Sequence, residues 1–407
     1  KPKEQSTQSA VKKLNSQMEK TTLGDISGLA ELKAQMEGNA AAAAADAKAA
    51  AEEGNKGEES SKSVGVYRQP ILQGKSGPAF RYSRKTGPLF GLKKEKRMTF
   101  RATILGSGSA MPTAGRHNSA HVLDVHEQFY LIDCGEGTQM QLRRYGISPL
   151  KLHSIFITHL HGDHVFGLPG LISSMNAMRR RTPLYIYGVH PLDELLAHHR
   201  RYFDPVTEFD IVYREVDARR NERVFENKVM EVFTVPLRHR VPTTGYLFRE
   251  KRPGLNVRKE MIGPYGLTLK EIVGLKRGED LVREDGTTVP NAELTYTPYE
   301  PRSYAHLSDT LYSPKAAELV KGVDLLYHEA TYLDADRKTA RQNGHSTALQ
   351  AAKAAVLADA GQLLLGHFSA RYKDENLFLE EARQIFPNTL LAREGETVEI
   401  PVRRRRK

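Results

Sequence analysis

The chain has 407 residues, of which 39% are hydrophobic and 27% charged, with a net charge of +11. That length could hold two or three domains, but the large apolar and aromatic residues are concentrated after Met98, which argues for one large domain behind a polar extension. No apolar run reaches the roughly 18–20 residues that span a bilayer, the first thirty residues lack a signal-peptide core, and the lone Cys134 excludes an intramolecular disulfide and fits a reducing cytoplasm.

Residues 1–63 are poor in aromatics and rich in Lys, Glu, Gln, Ser and Ala. The alanine run at 40–45 has high helix propensity, but no apolar stripe accompanies it. This stretch is expected to fray or stay disordered. Residues 64–97 contain Gly77-Pro78 and Gly87-Pro88 and end in Lys93-Lys94-Glu95-Lys96-Arg97, the pattern of an extended basic linker. Residues 1–97 hold 18 Lys+Arg against 11 Asp+Glu, and the last five residues are all basic, which leaves 98–402 at −1. Any basic surface on the body must therefore be local.

A first strand is expected at 100–105. Gly106-Ser107-Gly108 follows as a tight turn, because the third glycine and the helix of a dinucleotide-binding loop are missing. Residues 112–119 read as a polar loop, 128–132 as a strand ending at Asp133, and 139–145 as a short helix. Ser154-Ile155-Phe156-Ile157-Thr158 is the next strand, and it runs into His159-Leu160-His161-Gly162-Asp163-His164. Imidazole nitrogen and carboxylate oxygen are ligands that zinc accepts. Residues two apart face away from each other on a helix, so the spacing predicts a loop leaving a strand. His159 and His161 would lie to one side, Asp163 and His164 to the other. Such a loop can hold two metal ions side by side.

A helix over 167–178 ends in Arg179-Arg180-Arg181, which suits either phosphate contact or the negative end of the helix dipole. After a strand at 183–188, a helix over 192–202 carries His198 and His199 on a charged, solvated face. Three further candidates share one placement: His239 follows the strand 232–237, Asp309 the strand 304–307, and His367 the strand 363–365. Strand ends are rigid and can converge on one sheet edge, as fixed coordination requires. Between His239 and Asp309 lies a long excursion, 249–291. Its first part, 249–277, holds eight Lys+Arg against three Asp+Glu and contains Gly263-Pro264-Tyr265-Gly266. Connections of that length are uncommon unless functional. Ser346 and Thr347 read as N-caps of a helix over 348–357.

The run His159-x-His161-x-Asp163-His164 is preceded by Tyr130-Leu-Ile-Asp-Cys-Gly-Glu-Gly-Thr-Gln139 and followed by Val165-Phe-Gly-Leu-Pro-Gly-Leu171. Together they resemble the metallo-β-lactamase fold and, within it, the ribonuclease Z family of tRNA 3′-processing endonucleases. The resemblance runs from about residue 98 to about 387 and says nothing of 1–97. It implies a four-layer α/β fold over 98–402, the αββα sandwich of two mixed sheets with helices outside, with 403–407 as a basic tail. It also implies two zinc ions, the first on His159, His161 and His239, the second on Asp163, His164 and His367, with Asp309 bridging. Manganese or iron could occupy the same ligands. Two carboxylates and five neutral imidazoles would leave the loaded site positive, which suits an anionic phosphodiester.

Further roles come with the resemblance. Asp133 is implied beneath the site, accepting from a ligand imidazole. His345 and Glu329 are implied as the pair that protonates the leaving oxygen, and Asp163 as the group that orients the nucleophile or takes its proton. The excursion 249–291 resembles the family's flexible tRNA-gripping arm, with Arg252, Lys276 and Arg277 as expected phosphate contacts. Arg116, Asn118, Ser369 and Arg371 are expected to touch RNA. The expected activity is removal of the 3′ trailer from precursor tRNA, leaving a 3′-hydroxyl, in a cytoplasmic homodimer with no membrane attachment. The rivals are another hydrolase of this fold (a phosphodiesterase, a β-lactamase or a glyoxalase II-like thioesterase) and a non-catalytic RNA-binding scaffold.

Overall fold

Alternation writes the first strand. In β1 (Phe100–Gly106), Phe100, Ala102 and Ile104 point into one core and Leu105 into another, as the two-residue side-chain period requires. The computed structural model describes residues 98–203 and 206–403. The expected extension at 1–97 and residues 404–407 of the basic tail lie outside them.

Strands β2 (Ala120–Val125), β3 (Gln128–Ile132), β4 (Leu152–Phe156), β5 (Leu184–Gly188) and β6 (Ile211–Glu215) continue the first sheet. Strands β7 (Arg223–Glu226), β8 (Met230–Pro236) and β9 (Thr244–Glu250) open the second. Four short strands follow in the excursion: β10 (Asn256–Val257), β11 (Leu281–Val282), β12 (Thr288–Val289) and β13 (Thr295–Tyr296). Strands β14 (Ser303–Leu307), β15 (Leu325–Glu329), β16 (Gln362–Gly366) and β17 (Thr389–Leu391) complete the second sheet, and β18 (Thr397–Glu399) returns to the first. The strand orders are β18-β1-β2-β3-β4-β5-β6 and β17-β16-β15-β14-β9-β8-β7. Neighbours from β3 to β6 and from β14 to β17 are parallel, and the other neighbours in the two sheets are antiparallel.

Parallel neighbours need crossovers, and the crossovers carry the helices. Helices α1 (Thr138–Arg144), α2 (Gly162–Val165), α3 (Gly167–Ala177) and α4 (Leu192–Phe203) lie against the first sheet through Leu142, Leu168, Ile172 and Leu196. The excursion holds α5 (Lys259–Ile262), α6 (Leu269–Arg277) and α7 (Asn291–Leu294). The second sheet is covered through α8 (Pro314–Leu319), α10 (Ala348–Leu357) and α11 (Asn376–Arg383), with α9 (Arg337–Asn343) between them in sequence. Alanines 348, 351, 352 and 355 on α10 are buried and let that helix lie close to the sheet. Between the sheets sits an aromatic core that includes Phe156, Tyr187, Phe225, Tyr246, Phe248 and Tyr327. The layers are helix, sheet, sheet, helix, as the motif resemblance implied.

The excursion is more structured than its composition suggests, and its limits move. Arg249 and Glu250 belong to β9, and the folded part runs from Asn256 to Tyr296 rather than from 249 to 291. Val257, Leu267, Leu275, Leu281 and Leu294 form a small core of their own. A capping box between Thr268 and Glu271 starts α6, and Gly278 at φ 97° ends it in the left-handed conformation glycine adopts freely. At its base, buried Arg302 binds buried Glu250 through Nη2 to Oε1 at 2.7 Å and Nε to Oε2 at 3.0 Å. The same guanidinium donates to Ile400 O and Met98 O, both at 2.9 Å, so one side chain ties the arm's root to both ends of the described body.

Candidate metal centre

Six of the strands deliver chemistry at one rim of the sandwich, each at its C-terminal end. Asp133 follows β3, His159 follows β4, His239 follows β8, Asp309 follows β14, Glu329 ends β15 and His367 follows β16. His159 and His161 lie on the loop after β4, as the spacing predicted. Asp163 and His164 do not: they sit on α2, one helical turn. The reading of the whole motif as loop is corrected there, because Gly162 starts a turn at the point where the two ligand pairs diverge.

The seven expected ligands meet. His159, His161, His239 and Asp309 form one group whose ligand atoms lie within 4.8 Å of one another, and Asp163, His164 and His367 form a second. His161 Nδ1 is 3.0 Å from His159 Nε2 and 3.2 Å from His239 Nε2. His164 Nε2 is 3.3 Å from His367 Nε2. Two nitrogens on one tetrahedral zinc, each about 2.0–2.1 Å from it, stand about 3.3 Å apart. The donor set and its spacing therefore fit a divalent ion in each group. Asp309 lies between them. Its Oδ2 is 3.5 Å from His159 Nε2 and 3.7 Å from His239 Nε2, and its Oδ1 is 3.2 Å from His367 Nε2 and 3.5 Å from His164 Nε2. Asp163 Oδ2 approaches His367 Nε2 at 3.3 Å and accepts from Ala110 N at 2.7 Å.

A second set of contacts turns the rings. His164 Nδ1 donates to Asp133 at 2.7 Å, His239 Nδ1 donates to Gly344 O at 2.8 Å, and His367 Nδ1 meets Thr331 Oγ1 at 2.9 Å. Each bond commits Nδ1 and leaves Nε2 facing the site. Asp133 also receives Thr158 N at 2.9 Å and the Thr158 hydroxyl, so it is anchored before it touches His164. Asp133 and His367 hold φ of 57° and 61°. A left-handed residue with a side chain costs about 1–2 kcal/mol, and such strain concentrates at working sites. Gly344 is left-handed too, at φ 79°, and a Cβ there would stand 2.7 Å from His239 Nδ1. Only glycine lets its carbonyl approach that ring.

Electrostatics agree with the geometry. Burial pushes His159, His161 and His239 down, toward the neutral form a metal ion requires. Burial works against ionised Asp163 and Asp309, but the surrounding imidazoles hold both carboxyls well below the usual range. His164 goes the other way: burial opposes its charge, yet Asp163, Asp133 and Asp309 draw it up. That corner is built to stabilise a cation.

His345 stands over the two groups, 3.9 Å from Asp309 Oδ2, with Nδ1 3.0 Å from Glu329 Oε1. Glu329 is fully buried and also accepts from the amides of Thr310, Thr331 and Ser346. Burial would lower His345, but Glu329, Asp309 and Asp163 raise it to about 9. Its Nδ1 is committed to Glu329, with Nε2 left free of that carboxylate.

A cavity of about 640 Å³ opens over the site, with Phe166, Tyr332, Ser369 and Arg371 in its walls. Of the expected RNA contacts, Ser369 and Arg371 line this cavity. Lys276 and Arg277 are exposed on the arm, and Arg252 is exposed on the segment that leads into it. Arg116 and Asn118 are otherwise engaged: Arg116 donates to Tyr372 O and Phe368 O, and Asn118 is buried and donates to Ala110 O. They brace the loop after β1. At the end of α3, Arg180 alone of the three arginines takes neither expected role. It is buried and donates to four carbonyls, those of Leu150, Leu152, Thr182 and Pro183. Thr347 is the N-cap of α10, but Ser346 is not a cap; its hydroxyl donates to Thr310 O at 2.7 Å.

Sequence reading missed Thr331, whose hydroxyl links Glu329 to His367. It also missed His121 and His306, which are buried beneath the site and pack edge to face at 4.9 Å. Both nitrogens of His121 and Nε2 of His306 lack hydrogen-bond partners, and burial pushes His121 down to about 3. No alternation marks them, since every residue of β2 and β14 is buried.

Two mixed sheets with a double histidine–carboxylate cluster at their common rim define a metal-dependent hydrolase of the metallo-β-lactamase fold. The family described as the Anti-Pycsar protein Apyc1 matches residues 100–239. The metallo-beta-lactamase fold protein YhfI of Bacillus subtilis superposes with a TM-score of 0.53 at 19% identity, covering 74% of this chain and 99% of that one. The short form of human tRNase Z superposes with a TM-score of 0.54 at 27% identity, over 74% of this chain and 99% of that one. Ribonuclease Z of Phocaeicola vulgatus is 44% identical over 74% of this chain and 97% of its own length, and that of Bacteroides fragilis is 41% identical over 74% and 99%. The chain belongs to the ribonuclease Z family.

Proposed function

We propose that this protein cleaves precursor tRNA immediately 3′ of the acceptor stem, releasing the trailer and leaving a 3′-hydroxyl on the tRNA. One observation carries the reading: five histidines and two aspartates, from four strand ends and one helical turn, converge under His345, itself held by Glu329, in a chain of the ribonuclease Z family. His159, His161 and His239 would hold one zinc ion and Asp163, His164 and His367 the other, with Asp309 shared. When bound, the two ions would supply Lewis acidity toward the phosphodiester and acidify water at the site.

The chain's own residues do the rest. Asp163, fixed by Ala110 N, orients the attacking water and takes its proton. His345, held charged by Glu329, gives a proton to the O3′ that leaves. Asp133 keeps the His164 ring in position. Ser369 and Arg371 flank the RNA near the cut, and the arm, through Arg252, Lys276 and Arg277, grips phosphates away from it. A homodimer in the cytoplasm, each arm serving the neighbouring site, completes the proposal.

The test is cleavage mapping on one 3′-extended precursor tRNA with metal-loaded protein, alongside a thioester panel. A single cut after the acceptor stem with a 3′-hydroxyl on the tRNA supports the reading. Turnover of thioesters alone, or RNA binding with bound metal and no cleavage, would refute it.

A further inference from the structure

Thr331 is buried where three groups of the site meet. It follows β15, two residues after Glu329. Its Oγ1 lies 2.7 Å from Glu329 Oε2, 2.9 Å from His367 Nδ1 and 3.2 Å from His345 Nδ1. The backbone holds it there. Parallel β15 and β16 pair Glu329 with Gly366, Ala330 N donates to Gly366 O at 2.8 Å, and Ser369 N donates to Thr331 O at 3.2 Å. His367 lies between those two anchors, in the left-handed conformation at φ 61°.

Counting protons fixes the direction of each bond. Glu329 Oε1 accepts from Thr310 N, Ser346 N and His345 Nδ1, and Oε2 accepts from Thr331 N at 2.9 Å. A carboxyl that takes three amide protons is held as the carboxylate, which can only accept. The Thr331 hydroxyl therefore gives its single proton to Glu329 Oε2, and toward both imidazoles it is an acceptor. His367 then carries its own proton on Nδ1. Its bare Nε2 faces Asp163 Oδ2 and His164 Nε2, both at 3.3 Å. That is the tautomer a metal ion requires. His164 and His239 obtain the same tautomer directly, from Asp133 and from Gly344 O. His367 obtains it through a hydroxyl that is itself oriented by a carboxylate.

We propose that Thr331 is a positioning residue for the second ion, relaying the Glu329 carboxylate to His367. This rests on the two-ion reading above. One buried carboxylate then prepares two different groups: His345 by direct contact and the ligand His367 through Thr331. Substituting Glu329 should accordingly weaken metal binding as well as proton donation. A carboxylate that served His345 alone would leave the affinity for both ions intact.

The experiment strips the full chain of metal and titrates zinc back against a chromogenic chelator. Wild type is compared with Thr331→Val, which keeps the shape and loses the hydroxyl, and with Thr331→Ser, which keeps the hydroxyl. Glu329→Gln and the double variant Glu329→Gln/Thr331→Val complete the set, and His367→Ala marks which site is the second. Thr331→Val should lose about 10–100-fold in affinity at that site. The other site should be unchanged, because among the described residues Thr331 makes no hydrogen bond to His159, His161 or His239. Thr331→Ser should restore the wild-type affinity. Glu329→Gln should lose affinity at the same site, and the double variant should lose no more than the larger single loss, as residues in one chain of contacts do. Wild-type affinity at both sites in Glu329→Gln or in Thr331→Val, or additive losses in the double variant, would overturn the relay while leaving the metal centre in place. Should Thr331→Val fail to fold, by circular dichroism, Glu329→Gln and Thr331→Ser still decide the matter. A wild type that takes up fewer than two zinc ions would overturn the two-ion centre and the relay together.

Discussion

Asp133 shows how much of the centre depends on residues that are not ligands. Its carboxylate takes His164 Nδ1 at 2.7 Å while three further hydrogen-bond contacts with Thr158 and Ser119 hold it still. Asparagine tolerates its left-handed backbone, so Asp133→Asn removes charge with little strain. Such outer partners are worth about 10–100-fold in metal affinity, and competition with a chromogenic chelator should show a loss of that size at one of two sites. His345 makes a different prediction. His345→Ala should lower kcat on precursor tRNA by about 10²–10⁴, the usual range for a lost general acid. Bis(p-nitrophenyl) phosphate, whose leaving group needs no proton, should lose far less; equal losses on both substrates would place His345 outside proton transfer. The motif His159-x-His161-x-Asp163-His164 was legible because four donors after one strand have few other uses. His121 and His306 were not, because a buried histidine with unpartnered nitrogens looks in sequence like any other strand residue.

Among the elements, the arm departs most from its sequence. Eight basic residues in 249–277 drew attention to charge, yet the arm folds around Val257, Leu267, Leu275, Leu281 and Leu294. Those five lie up to 37 positions apart, too scattered for any helix or strand period to mark them. The capping box of α6 and the glycine after it could have been read directly, since both are local. Replacing residues 256–296 with a short Gly-Ser linker should raise KM for precursor tRNA at least about tenfold, as several phosphate contacts disappear. Hydrolysis of bis(p-nitrophenyl) phosphate should persist, because β9 and the ligand-bearing strand β14 keep their pairing. Loss of both activities would show that the arm supports the sandwich itself.

At the scale of the whole molecule, two features join distant segments. The first is the pair Glu250–Arg302, which with Ile400 O and Met98 O closes the body. Burial opposes the Glu250 charge, but His126 and Arg302 hold its carboxyl below the usual 4.5. A carboxyl whose folded pKa is depressed contributes stability above its unfolded value and loses it as pH falls through the folded one. Wild type should therefore lose this contribution below about pH 4.5. Glu250→Gln should unfold more easily at pH 7 by about 3–5 kcal/mol, as expected for a buried cation left without its partner, and show a flatter acid limb in urea melts. The second feature is the metal centre, which links both sheets. Removing its ions with a chelator should lower Tm, by the free energy of their preferential binding to the folded state. An unchanged Tm would mean that the rim forms without them.

The sequence by itself determined the class of fold and marked the candidate ligands at the strand ends, because short-range rules act there: apolar alternation makes strands, and paired donors at a strand end have a narrow range of purposes; the expected partition of those candidates between two ions came from the motif resemblance. It also carried, through motif resemblance, the Glu329–His345 pair. Only the tertiary structure decided the partners of those groups. Thr331 between Glu329 and His367, and Gly344 against His239, join segments far apart in the chain. No local period records such contacts, since they exist only once two sheets have closed on one rim and brought the strand ends within a few ångströms.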